Sequence, residues 1–132
     1  MGAPTELISR IDLFSDLSKG ELKDLAGAMK EYRFDPGRDV VTEGTNGVGF
    51  FVIEKGSATV SVAGDDVANL GPGEYFGEIA LLADVPRTAT VTAKTELTCW
   101  GITSWAFKPI VEQNGKIAWK LLQALARMLE KR

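Results

Sequence analysis

Apolar positions recur at helical spacing near both ends of the chain and in short alternating runs between them, so the sequence predicts helices flanking a β-structure. Residues 5–30 read as helical. Ser18–Glu21, "SKGE", is a capping-box pattern: a serine placed to cap a helix, a glutamate three residues on to answer it. Leu22, Leu25, Ala26 and Met29 follow at helical spacing, and upstream "LISRIDLF" predicts a shorter helix ending near Phe14. From Tyr32 the period changes. "EYRFDPG", "DVVTEG", "GFFVIEKG", "SATVSVAG" and "DVANLGPG" are short apolar or alternating runs, each closed by glycine, the signature of a sandwich or barrel. "RTATVTA" and "ELTCWGI" read as a second strand pair. Helix returns at the end. "SWAFKPIVEQN" is expected to start at Ser104 despite Pro109, and Asn114 and Gly115 divide it from "KIAWKLLQALARMLEKR". There Ile117, Leu121, Ala124, Leu125 and Met128 form one stripe, widened by Ala118, Leu122 and Leu129. The predicted fold class is α+β, mainly β: an antiparallel, jelly-roll-like β-roll with N-terminal helices, a short helix after Gly77 and two C-terminal helices.

At 132 residues the chain suits one domain, spanning 1–132, with a core of its own. No run approaches the length of a membrane span, and no charged-then-apolar leader is expected. A net charge of −3 argues against a nucleic-acid surface. The lone Cys99 cannot form an internal disulfide and reads as a small strand residue, which suits a cytoplasmic setting. The absence of histidine matters more. It removes the commonest general base and the commonest metal ligand together, so histidine triads and histidine-held metals are excluded. No catalytic residues, metal ligands or cofactor are expected, and the chain reads as a binding protein rather than an enzyme.

One segment carries the chemistry. In "FGEIALLADVPRTATV", Phe76 to Val91, a glutamate follows a glycine and an arginine stands nine residues later among apolar residues. Buried charge needs a partner. Glu78 and Arg87 can pair with each other or sit in solvent, and a ligand can supply the partner instead. Gly77 permits close approach or an unusual φ. A short helix begun by "EIALLA" would aim its first N–H groups at one spot suited to an anion. Arg87 adds a charge and parallel donors for phosphate oxygens, while Glu78, an acceptor, suits a neighbouring hydroxyl. Together they describe a ribose phosphate.

The segment resembles the phosphate-binding cassette of the cyclic nucleotide-binding domain. That module is shared by regulatory subunits of cyclic-nucleotide-dependent kinases, the bacterial catabolite activator family and cyclic-nucleotide-gated channels. G-E-x-A-L-L followed by P-R-T-A-T-V carries the likeness, and Gly37, Gly44, "FFVI", Gly56 and "GPGEYFGE" extend it over nearly the whole chain. These upstream glycines are assigned to turns, without chemistry. The resemblance implies that Glu78 accepts from the ribose 2′-hydroxyl and Arg87 pairs with the cyclic phosphate. The site residues so implied are Gly77, Glu78, Ile79, Ala80, Arg87, Thr88 and Ala89, with Gly77, Ala80 and Ala89 acting through their backbone. Thr88 places a hydroxyl near the phosphate and keeps cGMP open, although cAMP is favoured.

The resemblance also implies a last helix that folds over the purine. Trp119 falls off the main apolar stripe and suits a purine face, a second subunit or the N-terminal helix; Leu122 and Leu125 are alternative lid residues. Nucleotide would draw the cassette inward, Leu81 would shift with it, and Phe107 would repack. Expected partners are the cyclic nucleotide and, through the C-terminal helix, a second copy or another protein. Neither nucleic acid nor membrane is expected. A cupin-type enzyme, which holds its metal through histidines, and an interaction module with a vestigial pocket are the competing readings.

Overall fold

The computed structural model describes residues 2–45, 49–77, 81–83 and 86–130. The N-terminal helical region divides in three: α1 (Thr5–Ser9), a 3₁₀ turn (Asp12–Phe14) and α2 (Lys19–Gly27). The single helix expected from "LISRIDLF" therefore breaks, with Ile11 extended at φ −77° and ψ 126°. Burial explains the break. Ile8, Ile11, Leu13 and Phe14 are all buried, and on one continuous helix they would point to widely separated directions. At α2 the capping box forms: the Glu21 N–H donates to Ser18 Oγ at 3.2 Å and the Ser18 N–H to Glu21 Oε1 at 2.8 Å.

Among the described residues, eight strands follow these N-terminal helices. They are β1 (Lys30–Phe34), β2 (Asp39–Val41), β3 (Gly49–Lys55), β4 (Ala58–Val62), β5 (Asp65–Leu70), β6 (Tyr75–Phe76), β7 (Thr90–Ala93) and β8 (Leu97–Thr103). Two four-stranded sheets result, ordered β1-β8-β3-β6 and β2-β7-β4-β5, and the pairings are antiparallel. The two-residue β6 lies just after the Gly71–Gly73 turn, outside the strand runs read from the sequence. A larger difference concerns "RTATVTA" and "ELTCWGI", which do not pair with each other. β7 pairs with β2 and β4, β8 with β1 and β3, so the chain changes sheets between them. The corner is fixed where Lys94 and Thr95 N–H groups donate to the Ser57 carbonyl at 2.9 and 3.3 Å. Beside it Gly56, at φ +91°, leaves no room for a side chain, since a Cβ would lie 2.1 Å from the Glu96 carbonyl oxygen.

The first sheet is covered on both faces. Phe50, Val52, Trp100 and Ile102 face the helices, while Ile53, Leu97 and Cys99 pack with Ala58, Val91 and Ala93 of the second sheet. Two-sided burial is why "FFVI" reads as a continuous apolar run rather than an alternation. Cys99 is one of these core residues, its thiol pushed up to about 12 by burial.

The chain ends in α3 (Ser104–Glu112) and α4 (Gly115–Glu130). Thr103 caps α3 by accepting from the Ala106 N–H at 3.3 Å. Pro109 stands inside α3 without ending it; the helix forgoes the bond that residue would donate. Asn114 caps α4, its Oδ1 accepting from the Lys116 N–H at 3.1 Å. Ile117, Leu121 and Ala124 are buried and α4 packs against the 3₁₀ turn. Leu122 and Leu129, expected to widen that stripe, are exposed at 58% and 66%, and Trp119 is exposed at 62%. They lie on the opposite face of α4 from Ile117 and Ala124.

Two ion pairs tie α4 to the N-terminal segment: Arg127 with Asp16, and Lys120 Nζ with Glu21 Oε1 at 2.6 Å. The hydrogen bond from Lys120, then that from the Ser18 backbone, hold the Glu21 carboxyl below its ordinary range. A lowered carboxyl contributes stability above its unfolded-state value and loses it as pH falls through the folded-state value. We therefore expect Glu21→Gln to cost about 1 kcal/mol at pH 7, and the difference from wild type to close on acidification. Urea unfolding across that range checks it; a pH-independent difference would mean that packing, not charge, matters there.

Candidate functional site

The centre of the site is Arg87, where the chain approaches β7. Its position is fixed through both backbone and side chain. The Gly44 N–H donates to the Arg87 carbonyl and the Arg87 N–H to the Thr45 carbonyl, each at 2.8 Å. The side chain is half-buried, and Nη2 donates to the Gly49 carbonyl at the start of β3, at 2.5 Å. A guanidinium held this way presents a planar set of donors in a defined orientation, the geometry that suits a pair of anionic oxygens.

Gly77 forms the wall beside it. Immediately after β6 the backbone turns through φ +87°. A Cβ there would stand 2.5 Å from Arg87 Nη1 and 2.6 Å from the Gly49 carbonyl oxygen. Both the conformation and the space demand glycine. Gly77 and Arg87, separated in sequence, are thus brought together with Gly49 as the third member. Thr88 is exposed and Ala89 half-buried beside the arginine. Glu78, Ile79 and Ala80 lie outside the described residues, as does most of the short helix expected after Gly77; 81–82 are helical.

Leu81 and Phe107 occur in one buried cluster, at 7% and 2% exposure. An open groove of about 480 Å³ runs between the 81–82 turn and α3, lined by Leu81, Leu82, Trp105, Phe107 and Val111 with Lys108 and Glu112 among them. Among the described residues no group of three or more His, Cys, Asp or Glu is arranged to hold a metal ion. Sequence reasoning missed Gly49 and the Gly44–Thr45 turn as parts of the Arg87 seat. They act through carbonyl and N–H groups, which no side-chain pattern announces. The available signal was the glycine of "TEGT", which adopts φ +84°.

The family model for the cyclic nucleotide-binding domain matches residues 31–114, from β1 to the start of α4. The chain belongs to the cyclic nucleotide-binding domain family. This cyclic nucleotide-binding domain is 46% identical over 92 residues to a cAMP-dependent protein kinase regulatory subunit from Yarrowia lipolytica. That similarity covers 68% of the chain and 24% of the relative, so the chain spans about a quarter of that protein. Among solved structures, the N-terminal domain of a transcriptional regulator from Streptomyces coelicolor is similar at TM-score 0.89 and 29% identity, covering 95% of this chain and 93% of that one. The regulatory domain of Toxoplasma gondii PKA, with cAMP, is similar at TM-score 0.74 and 29% identity, covering 80% of this chain and 42% of that one. A cyclic nucleotide-binding-like protein from Brucella abortus gives TM-score 0.75 at 26% identity, with 82% and 97% covered. The Streptomyces likeness extends over nearly the entire domain, beyond the 31–114 segment.

For this domain, Gly77→Ala is expected to lower stability by about 1–3 kcal/mol, from the positive φ and the contact with Arg87 and Gly49. It should also weaken nucleotide binding at least tenfold, by displacing the guanidinium. Denaturant unfolding and a binding titration of one preparation check both effects. Wild-type affinity in the variant would mean that Gly77 does not set the arginine's position.

Proposed function

We propose that this domain is a cyclic nucleotide sensor that prefers cAMP to cGMP and passes occupancy to a partner through its C-terminal helix. The observation that carries the reading is the seat of Arg87: a guanidinium held on the Gly49 carbonyl and against Gly77, within the segment that resembles the family's phosphate-binding cassette. In this reading Arg87 binds the cyclic phosphate and Glu78 the ribose 2′-hydroxyl. Gly77, Ala80 and Ala89 contribute through their backbone, Ile79 belongs to the same segment, and Thr88 adds a hydroxyl. The cAMP preference draws support from the Yarrowia and Toxoplasma relatives, whose names carry cAMP. No metal or cofactor enters the mechanism, and residues 1–132 act as one regulatory, non-catalytic domain.

Ligand closure would bring α4 toward the base, with Trp119, Leu122 or Leu125 as cap. Closure competes with the Lys120–Glu21 and Arg127–Asp16 pairs that tie α4 to the N-terminal segment. The exposed Trp119, Leu122 and Leu129 favour a second role for the same helix: pairing with a second copy or another protein. Among the described residues no helix is long and apolar enough to cross a membrane. A cytoplasmic location, with neither membrane nor nucleic acid as partner, completes the reading.

Thermal unfolding with cAMP, cGMP, 5′-AMP or no ligand tests it. A ligand that binds only the folded chain adds about 2.7 kcal/mol at a hundredfold excess over Kd. We expect a clear rise in melting temperature with cAMP, a smaller one with cGMP and none with 5′-AMP. No shift with millimolar cyclic nucleotide would favour the interaction module with a vestigial pocket.

A further inference from the structure

Hydrogen bonds join Arg87 to the connection between β2 and β3 and to the first residue of β3. Both main-chain polar groups of Arg87 bond to the Gly44–Thr45 turn, and Nη2 bonds to the Gly49 carbonyl. The turn is itself fixed. The Thr42 carbonyl accepts from the Thr45 N–H at 3.2 Å and from Thr45 Oγ1 at 2.6 Å. The Glu43 N–H donates to Thr90 Oγ1 at 2.9 Å, and the Glu43 carboxylate accepts from the Ala63 N–H at 2.9 Å. The turn is thus attached to the chain at Arg87, at Thr90 and at the β4–β5 hairpin.

We propose that the Gly44 turn is a positioning device for the phosphate-binding arginine; this rests on the nucleotide reading above. A phosphate responds to where the guanidinium stands, and a displacement well under 1 Å weakens a paired-donor contact. Gly44 sets that location because its φ of +84° aims its own N–H and the following carbonyl at Arg87. Among the described residues, chain neighbours aside, a Cβ at Gly44 would meet no atom within 4 Å. A side chain at this position therefore acts through backbone conformation and not through a clash. Asparagine tolerates positive φ, whereas a β-branched residue resists it.

The test is calorimetric titration with cAMP of wild type, Gly44→Val and Gly44→Asn, repeated for Gly44→Val in an Arg87→Ala background. We expect Gly44→Val to weaken binding at least about tenfold and Gly44→Asn to recover most of that loss. In the Arg87→Ala background Gly44→Val should add less than about twofold, because the residue it positions is gone. Gly44→Ala, with less strain, replaces valine if that variant does not fold. Undiminished affinity in the strained variant overturns the proposal, as does an equal loss in both backgrounds. A wild-type chain that takes up no cyclic nucleotide overturns the nucleotide reading itself, and this proposal with it.

Discussion

Arg87→Ala is expected to weaken cyclic nucleotide binding by about a hundredfold or more while leaving the domain folded. Charge-assisted hydrogen bonds contribute about 1.5–3 kcal/mol each, and a paired contact to phosphate oxygens involves two of them. The fold should survive because the bonds to Gly44 and Thr45 that attach this residue are main-chain bonds, which alanine keeps. Among the described residues the bond to the Gly49 carbonyl is lost, and its removal should lower stability by about 1 kcal/mol. Arg87→Lys should fall between, retaining charge without the planar fork. Titration calorimetry and thermal unfolding of the same preparations separate the two effects. An apo variant that unfolds would make Arg87 structural, and one that binds like wild type would place the phosphate elsewhere.

Phe14→Ala is expected to cost about 3–5 kcal/mol, the usual range for removing a fully buried aromatic side chain. Phe14 is completely buried at the junction of the helices and the first sheet. Its ring meets Phe50 edge-on at 5.6 Å and Phe107 at 6.4 Å. For a domain of this size the loss corresponds to a fall in melting temperature of roughly 10–20 °C. Phe107 also lines the groove beside Leu81, so the cavity opens next to the segment that moves in the proposed switch. Guanidinium unfolding of the variant checks the magnitude. A loss below about 1 kcal/mol would mean that Phe50 and Phe107 close over the space.

Much of this was legible in the sequence, for identifiable reasons. The capping box at Ser18 and Glu21 and the break at Asn114 are local chemistry, so short-range pattern found them. The strand runs were legible because each is closed by glycine, and Gly37, Gly44, Gly56, Gly64 and Gly73 all adopt positive φ. Partnering was not. Whether β7 pairs with β8 depends on the corner at Gly56 and Ser57, a non-local constraint that strand composition does not encode. Leu122 and Leu129 belong to an apolar pattern whose two faces cannot be ranked without knowing which one the 3₁₀ turn covers. At the candidate site, Gly77 and Arg87 stood out as a glycine and a charge in an apolar run, and the family pattern then implied their roles. Gly49 and Thr45 did not, because they contribute carbonyl groups that any residue carries.

The most direct measurement is a calorimetric titration of the purified chain with cAMP, with 5′-AMP as competitor. Saturable binding of one cAMP per chain that 5′-AMP does not displace is the predicted result. No heat and no saturation at millimolar cAMP, from a chain that unfolds cooperatively, would contradict a working cyclic nucleotide site around Arg87.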